Sequence, residues 1–365
     1  MGDTGDTGSA KEKGPDGRAH PDGIDTDGVT AWFAEHVPAS TAPLDFRLIA
    51  GGHSNLTFDV TDTAGGHWVL RRPPLGQVLA SAHDMGREHR IISALAGTDV
   101  PVAATPGLCT DESVNGSPFY VMDFVEGTVI RSQADAESLS PEQRRRAGES
   151  LVDVMAAIHG VDVDAVGLGE LGKKADYIAR QLKRWYGQYQ QSDAQVAGGL
   201  GLDAVDRAHR VLSERTPAQR GAAIVHGDYR LDNCIIAGDG SVKAVLDWEI
   251  CTLGDPMADV GLLNVYWTDP GAEAVLPQAS PTALDGFPTK AELMARYAAA
   301  SGRDLSELGF YVAFGYWKLT CIIAGVYARY AGGAMGDVPA EQVHGFRNML
   351  DALAANTEAA VGELG

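Results

Sequence analysis

The amino-terminal half of the chain alternates apolar and polar positions in the manner of β-strands. Three such runs lie in RLIAGGHSNLTFDVTDTAGGHWVLRRP, with a Gly-Gly turn at residues 65–66 before the third. A helix between Ser81 and Gly97 follows, and a further apolar strand, PFYVMDF, runs into Gly127. This pattern predicts an antiparallel sheet accompanied by one helix.

Beyond residue 127 the apolar positions recur at the spacing of an amphipathic helix. Ser140-Pro141 marks one helix start, because proline suits the first helical position. Further helices are predicted over residues 174–190, 202–214, 258–267, 290–301, 305–330 and 340–362. The strand pattern returns only at 223–247, where AAIVHGD, NCII, the turn AGDGS and VKAVLD predict a β-hairpin.

These patterns divide the chain into three parts. Residues 1–27 are rich in Gly, Asp, Thr and Pro and cannot bury enough surface to fold, so we expect a disordered tail. Residues 28–126 are expected to form a β-rich N-lobe, and residues 127–365 a mainly helical C-lobe that carries the hairpin. The expected fold class is therefore α+β with two lobes.

The composition narrows the class of function. A formal net charge of −20 argues against nucleic acids and anionic membranes as partners, since both recruit basic surfaces. The apolar runs are shorter than the roughly 18 residues of a membrane span, and the amino terminus lacks a signal-like apolar segment. The cysteines show no metal-binding spacing. We expect a cytoplasmic protein with reduced cysteines that acts on a small molecule, and a homodimer is left open.

The hairpin concentrates polar residues that can carry chemistry. It places Asp228 at the end of one strand, Asn233 five residues later, and Asp247 at the end of the returning strand. Hard cations such as Mg²⁺ take oxygen ligands from one or two carboxylates together with substrate phosphates, which Asn233 and Asp247 can supply. Asp228 would then accept a proton from a hydroxyl nucleophile. This arrangement belongs to kinase-type phosphoryl transfer.

The order of the motifs resembles the aminoglycoside phosphotransferase and choline kinase-like superfamily. The matching pieces are HGD with Asn233, LDWE at 246–249, and GDP at 254–256 with Asp259. GGHSNLTF, WVLRRPP, REHRIISAL, PFYVMDFVEG and DYIARQLKRWYGQY are similar to the phosphotransferase-like domains akin to those fused to some acyl-CoA dehydrogenases. The resemblance covers roughly residues 30–330 and implies a protein kinase-like bilobal fold.

The resemblance implies a role for each matched residue, with ATP and Mg²⁺ as cofactors. Asp228 is the implied catalytic base, and Asn233 and Asp247 would hold magnesium between the nucleotide phosphates. The residues implied to bind ATP are Gly51, Gly52, Ser54 and Asn55 in the phosphate loop, Arg71 with its ion-pair partner Glu88, and Met122, Asp123 and Val125 along the adenine.

Two departures from the family pattern stand out. Arginine replaces the lysine that usually grips the phosphates, and Arg72 beside Arg71 leaves the register ambiguous. Strand alternation favours Arg71, which shares a face with Val69. The phosphate loop GGHSN is also shorter than the glycine loop of protein kinases.

The spacing after the hairpin indicates a small-molecule kinase. Only 7 residues separate Asp247 from Asp255, which leaves no room for a long activation segment. We expect His226 to orient the catalytic loop, Asp255 to brace it, and Asp259 to begin the following helix. Arg230 and Asp232 have no catalytic role in this interpretation and are expected to form an ion pair.

The acceptor is addressed by one basic segment. Arg180, Lys183 and Arg184 share a helical face beside Trp185, and this patch could receive an anionic substrate such as a CoA thioester. A solvated basic face is the plainer interpretation. The relatives fused to acyl-CoA dehydrogenases favour a hydroxyacyl-CoA-like acceptor by analogy only. The alternatives are an aminoglycoside or amino-alcohol kinase, and a nucleotide-binding module without turnover.

Overall fold

A computed structural model describes residues 21–50, 55–75, 84–274, 280–333 and 339–364. The chain divides into two compact units, one of residues 1–96 with 103–125 and one of residues 97–102 with 126–365. Helix α1 (Thr26–His36) begins within the last two residues of the segment expected to be a tail, and residues 1–20 lie outside the described residues. Asp25 caps the helix by accepting from the Gly28 amide at 2.9 Å.

The first unit is built on one antiparallel sheet. Its further elements are β1 (Leu44–Ala50), β2 (Leu56–Asp62), β3 (His67–Arg72), α2 (Met85–Leu95), β4 (Gly107–Cys109), α3 (Glu112–Asn115) and β5 (Phe119–Asp123). The strand order is β1-β2-β3-β5-β4, and the buried faces of the strands pack against α1. The predicted helix is α2, which begins after its cap Asp84, whereas Ser81 lies outside the described residues.

Strand β3 decides which of two adjacent arginines faces which side. Its side chains alternate between partly buried and buried, so Arg71 lies with Val69 on one face and Arg72 lies on the other. Arg72 is buried and donates to the backbone carbonyls of Gly23 and Asn115. The alternation predicted from the sequence is therefore present, and it separates the two guanidinium groups.

The second unit is mainly helical. Its elements are α4 (Gln133–Glu137), α5 (Pro141–Gly160), α6 (Tyr177–Gln195), α7 (Asp203–Glu214), β6 (Ala223–Val225), β7 (Cys234–Ile236), β8 (Val242–Val245), β9 (Thr252–Gly254), α8 (Met257–Tyr266), α9 (Lys290–Ser301), α10 (Leu308–Ala331) and α11 (Ala340–Gly362). Helix α5 starts at Pro141 as predicted. Ser140 and Gln143, on either side of this proline, form a reciprocal capping box.

The predicted hairpin is only partly right. Strands β7 and β8 do pair antiparallel, with Cys234 opposite Val245. The strand before the catalytic loop, β6, instead pairs with β9, where Val225 lies opposite Thr252. The catalytic loop therefore joins two separate two-stranded sheets, and each of its ends is fixed by a different partner strand.

Helix α10 is long and apolar enough to cross a membrane by length and composition, with a mean hydropathy of 1.3 over its best window. However, 67% of that window is buried inside the described protein. The helix packs against α6, α7, α8 and α11, and it carries Lys318 near its middle. These are the features of a core helix, and Lys318 reaches the candidate site from it.

Candidate active site

The catalytic loop predicted from the sequence lies between β6 and β7 and ends in a short 3-10 helix, Leu231–Asn233. The carboxylate of Asp228 is held on both oxygens. Oδ1 accepts from the Tyr266 hydroxyl at 2.8 Å, and Oδ2 accepts from the Asn233 side-chain amide at 3.1 Å. The Asp228 side chain is 29% exposed, so it is fixed in place and still open to a substrate.

Two buried charges hold the backbone that leads into Asp228. Asp259 of α8 accepts from the amides of His226 at 2.7 Å and Gly227 at 2.9 Å. Lys318 of α10 donates to the Gly227 carbonyl at 2.8 Å. Gly227 has a φ of +87°, a region that costs other residues conformational energy. The amide and the carbonyl of Gly227, the residue before Asp228, are thus held by an anion and by a cation.

His226 orients the loop, as the sequence indicated. It is fully buried, and its Nε2 lies 2.9 Å from the Leu246 carbonyl. Its Nδ1 accepts from the Asp228 amide at 3.3 Å. A carbonyl can only accept and an amide can only donate, so these contacts require a neutral ring with its proton on Nε2. The imidazole therefore joins the start of the loop to the end of β8.

The two aspartates after the loop have exchanged their expected roles. Asp255, expected to brace the loop, instead caps α8 by accepting from the Met257 amide at 3.1 Å. It also accepts from the Tyr311 hydroxyl at 2.7 Å. Asp259, expected to begin that helix, lies in its first turn and is also the residue that braces the loop. The helix direction makes the difference, because it turns the side chain of Asp259 back toward the loop amides.

Asp259 is buried, with 1% of its side chain exposed, and depends on its neighbours to stay ionised. Burial would raise its pKa, but the hydrogen bond from His159 at 3.4 Å and the amide of Gly227 hold the pKa below its usual value. His159 has its own pKa lowered by burial, and its Nδ1 lies 2.7 Å from the Tyr297 hydroxyl. The loop is thus supported by a chain of buried polar groups.

Asn233 and Asp247, the predicted metal ligands, are brought together by the β7–β8 pair. The Leu246 amide donates to the Asn233 carbonyl at 2.8 Å, which places Asp247 one residue beyond that bond. Asp247 has a φ of +62°, an uncommon backbone conformation that clusters at functional sites. The Asn233 amide nitrogen is used on Asp228, so its Oδ1 is the atom suited to a cation.

This donor set fits magnesium. Mg²⁺ keeps several waters and takes one or two protein oxygens together with substrate phosphates. Within the described ranges no three His, Cys, Asp or Glu side chains come together as a preformed metal site. An amide oxygen and one carboxylate are what a cation bound through a nucleotide requires, and Asn233 and Asp247 would hold it.

Arg230 forms the ion pair expected of it. Its Nη2 lies 2.7 Å from Asp232 Oδ2, and its guanidinium carbon lies 4.8 Å from the centre of the Tyr266 ring. Its Nε also lies 3.5 Å from Oδ2 of Asp228, the implied base. Arg230 therefore touches the implied base as well as Asp232, which the sequence did not indicate.

In the first unit, Glu88 is the centre of the predicted nucleotide-binding cluster. Its side chain is 2% exposed, and its Oε2 lies 3.3 Å from Arg71 Nε. It also accepts from the Asn55 amide at 3.0 Å and from the Tyr120 hydroxyl at 2.9 Å. The structure brings Arg71 and Glu88 together as expected. Asn55, expected in the phosphate loop, is instead buried and engaged with Glu88.

The remaining residues predicted to bind the nucleotide lie on and just after β5. Met122 pairs with Val69, and the Asp123 amide donates to the Ala104 carbonyl at 2.8 Å. Val125, two residues on, has an amide without a hydrogen-bond partner among the described residues, which leaves it able to pair with an adenine. The expected phosphate-loop residues Gly51, Gly52 and Ser54 lie outside the described residues.

The separation of the two arginines leads to a direct test. Arg71→Ala is expected to raise KM for ATP by about 10- to 100-fold, the loss of one charge-assisted contact, and also to lower Tm, because the buried Glu88 loses its cation. Arg72→Ala is expected to lower Tm, because the carbonyls of Gly23 and Asn115 lose a buried donor, while KM for ATP of the folded protein stays near wild type. The reverse pattern in KM would show that the register is wrong. Steady-state kinetics and thermal unfolding of both variants supply the measurement.

The basic patch predicted on α6 is divided by the structure. Arg180 donates to the Lys173 carbonyl at 2.6 Å, and Lys183 lines a groove formed with α7. Arg184 lies 4.9 Å from the centre of the Trp185 ring, and Lys318 Nζ lies 5.7 Å from the same ring. Arg184 and Trp185 are therefore the part of the patch that connects to the catalytic loop.

Sequence reasoning missed two residues of the site. Lys318 left a signal, because it is the one lysine within the apolar helix α10, and a buried cation needs a partner. Tyr266 left none, since an aromatic residue at the end of an apolar helix is ordinarily a core residue. Burial and the Asp228 charge raise the pKa of Tyr266, so its hydroxyl stays a hydrogen-bond donor.

The antiparallel sheet with its helix, the helical second unit and the Asp/Asn/Asp loop define a phosphotransferase of protein kinase-like fold. Residues 45–310 match the phosphotransferase enzyme family (APH), and the chain belongs to that family. A crystal structure from Ralstonia eutropha JMP134, provisionally named an aminoglycoside phosphotransferase, is 33% identical with a TM-score of 0.78 and covers 93% of this chain and 99% of its own. Members of this family are generally small-molecule kinases.

Other relatives carry the name of acyl-CoA dehydrogenases. Acyl-CoA dehydrogenase family member 10 of Mus musculus is 35% identical over 83% of this chain, and member 11 of Homo sapiens is 30% identical over 91%. The chain spans only 28% and 42% of the length of these two proteins. The streptomycin–ATP complex of an aminoglycoside phosphotransferase, APH(2″)-IIa, is 16% identical with a TM-score of 0.54, over 80% of this chain and 89% of its own, and shows the fold alone.

Proposed function

We propose that the protein transfers the γ-phosphate of ATP, with Mg²⁺, to a hydroxyl of a small molecule, and that the acceptor is a hydroxyacyl-CoA-like anionic metabolite. One observation carries the proposal. The carboxylate of Asp228 is accessible, is fixed by Tyr266 and Asn233, and extends from a loop whose backbone is clamped by Asp259 and Lys318. A base held in this way is preorganised to receive a proton.

The transfer needs one proton acceptor and one fixed geometry. The acceptor hydroxyl oxygen forms the new bond to the γ-phosphorus, while the bond from that phosphorus to the bridging oxygen breaks and its electron pair leaves with ADP. The hydroxyl proton passes to Asp228. Tyr266 keeps one oxygen of that carboxylate occupied at 2.8 Å, which fixes its direction relative to the acceptor.

Two groups of residues are suited to parts of a nucleotide, and each group lies within one unit of the chain. Arg71, fixed by Glu88, supplies a permanent charge for phosphate oxygens. Asn233 and Asp247 would hold magnesium, which when bound neutralises the charge of the phosphates. ATP as the donor is supported by the structurally similar enzyme that binds streptomycin and ATP.

Two observations support the choice of acceptor. Arg184 is exposed, and its neighbour Trp185 reaches Lys318, which holds the catalytic loop. An anionic group bound at Arg184 would thus lie on the same side of the second unit as the loop. The relatives named acyl-CoA dehydrogenases agree with an acyl-CoA-like acceptor.

A panel of acceptors tests this proposal. The protein is incubated with ATP and magnesium, and phosphorylated product is measured for hydroxyacyl-CoA thioesters and for aminoglycosides. We expect turnover of the thioesters and at least a tenfold lower kcat/KM, about 1.4 kcal/mol, for the aminoglycosides. A preference for cationic aminoglycosides would refute the anionic acceptor and leave the phosphotransferase assignment standing. If neither class reacts and ATP is not hydrolysed, the chain is a nucleotide-binding module.

A further inference from the structure

A pocket of about 230 Å³ opens beside the catalytic loop, entirely within the second unit. It is lined by the loop, by Ile130 and Arg131, by the end of α8, and by residues 280–282. This volume equals that of about eight water molecules, which is enough for a small organic group. The proposed function does not yet assign a ligand to this pocket.

The pocket reaches the reacting carboxylate through two of its walls. Tyr266 lines it and donates to Asp228 at 2.8 Å. Arg230 lines it as well, and its Nε lies 3.5 Å from Asp228. A molecule in the pocket would therefore contact two side chains that touch the base.

The hydroxyl groups of Thr282 and Ser280 in the lining are already used. The Thr268 amide donates to Thr282 Oγ1 at 2.8 Å, and the Thr282 hydroxyl donates to the Thr268 carbonyl at 2.8 Å. Ser280 lies 3.0 Å from Thr282 Oγ1. These two hydroxyls offer little to a ligand, and the charged side chains are the stronger groups for recognition.

The charged side chains leave a surplus of hydrogen-bond donors. The lining contains Arg131 and Arg230 but only one acid, Asp232, which is paired with Arg230 at 2.7 Å. Arg230 Nε is buried and lacks a hydrogen-bond partner among the residues that the structure describes. Each guanidinium carries five N–H donors and no acceptor. The pocket is therefore suited to oxygen atoms that accept, and an amine would meet like charge.

The rest of the lining is apolar, including Leu263, Val265 and Trp267. The Arg131 amide donates to Asp135 Oδ2 at 3.0 Å, which fixes the backbone of Arg131 beside the pocket. Burial raises the pKa of Asp232, and Arg230 lies 2.7 Å from this carboxylate. The pocket thus combines an apolar wall with Arg230, which contacts the base, and with the exposed Arg131.

We propose that this pocket is the acceptor site, and that it takes a short apolar chain carrying a carboxylate or carbonyl oxygen near the hydroxyl, bound by Arg230 and Arg131. The inference rests on the proposed phosphotransferase function and names which part of the acceptor enters the protein beside Asp228. For a hydroxyacyl thioester, the acyl part occupies the pocket, and Arg184 is left for the anionic remainder.

Charge substitutions at Arg131 test the site, because this residue is exposed and lies apart from Asp228. The acceptors are short hydroxyalkanoates, their CoA thioesters, and amino alcohols of the same length. Arg131→Gln is expected to raise KM for the hydroxyalkanoates by about 10- to 100-fold, much more than it lowers kcat. Arg131→Glu is expected to shift the preference toward the amino alcohols. Arg146→Gln is the matched control, an exposed arginine paired with Asp239 outside the pocket.

The outcomes separate the pocket from the reaction. If both Arg131 variants keep the KM of the control while turnover still requires Asp228, the pocket assignment is wrong and the phosphotransferase stands. If the wild type phosphorylates none of these compounds, calorimetric titration of a short hydroxyalkanoate decides the pocket alone. Binding that is lost in Arg131→Gln and kept in Arg146→Gln supports the site, and equal or absent binding in both overturns it.

Discussion

Asp228→Asn is expected to lower kcat by about 10²- to 10⁴-fold, the usual contribution of a positioned general base. The asparagine keeps the shape of the side chain and can still contact Tyr266 and Asn233, but it cannot take a proton from the acceptor. The Asp228 side chain is 29% exposed, and Asp259 and Lys318 hold the backbone of its loop. We therefore expect the fold to survive this change. Single-turnover phosphoryl transfer and a nucleotide-binding titration measure the two effects separately.

The control for this change is Asp239→Asn, an exposed aspartate in the turn between β7 and β8. This change removes a carboxylate from the β7–β8 turn and leaves the catalytic loop untouched. We therefore expect kcat to stay at the wild-type value. Undiminished turnover in Asp228→Asn would remove Asp228 from the mechanism. Loss of nucleotide binding together with turnover would instead show that Asp228 acts in assembling the site.

Asp259→Asn is expected to have the second-largest effect, because it acts on stability and on catalysis together. The carboxylate accepts two loop amides and a hydrogen bond from His159, and an asparagine would oppose one of these donors with its own N–H groups. Leaving buried donors unsatisfied costs about 2–4 kcal/mol of unfolding free energy. The loosened peptide before Asp228 is expected to lower kcat by roughly 10²-fold, since small misplacements are costly.

The pH dependence of this change has a definite sign. The pKa of Asp259 is depressed in the folded protein, so its stabilisation is fully present above the unfolded value of about 3.9. It is lost as the pH falls through the folded pKa. The difference in Tm between wild type and Asp259→Asn is therefore expected to be constant from neutral pH down to about pH 5 and to shrink below about pH 4. A difference that grows in acid would contradict the ionised assignment.

Asp255→Asn is the matched control, because it changes a second buried aspartate, which lies just before the same helix. It weakens the helix cap and the hydrogen bond from Tyr311, so Tm is expected to fall. The loop amides are untouched, and kcat of the folded protein is expected to remain near wild type. Equal losses of kcat in the two variants would mean that the braced loop has no special role.

Local features of the fold were predictable because they depend on neighbouring residues. The alternation of β3 separated Arg71 from Arg72, and the Ser140 capping box fixed the start of α5. The pairing of β6 with β9 was not predictable, since strands of three residues carry too little pattern to specify a partner across an intervening hairpin. The helix α1 was hidden because it directly follows a segment rich in Gly and Asp.

The candidate site also combines residues that were predictable from the sequence with residues that were not. Asp228, Asn233 and Asp247 could be identified because their chemistry and spacing lie in one short segment. The exchange of roles between Asp255 and Asp259 could not be foreseen, because it depends on where α8 begins and which way its first turn faces. Tyr266 and Lys318 reach the loop from α8 and α10, and only the packing of those helices shows it.

The bond from Lys318 to Gly227 also bears on where this chain can be shortened. The family match ends at residue 310, so a fragment cut there would retain the whole catalytic loop and still lose the ammonium that holds it. It would also lose α11, whose Leu353 packs with Tyr316 and Leu319 of α10. Support for the loop therefore comes from a helix that carries none of the motif by which the family is recognised.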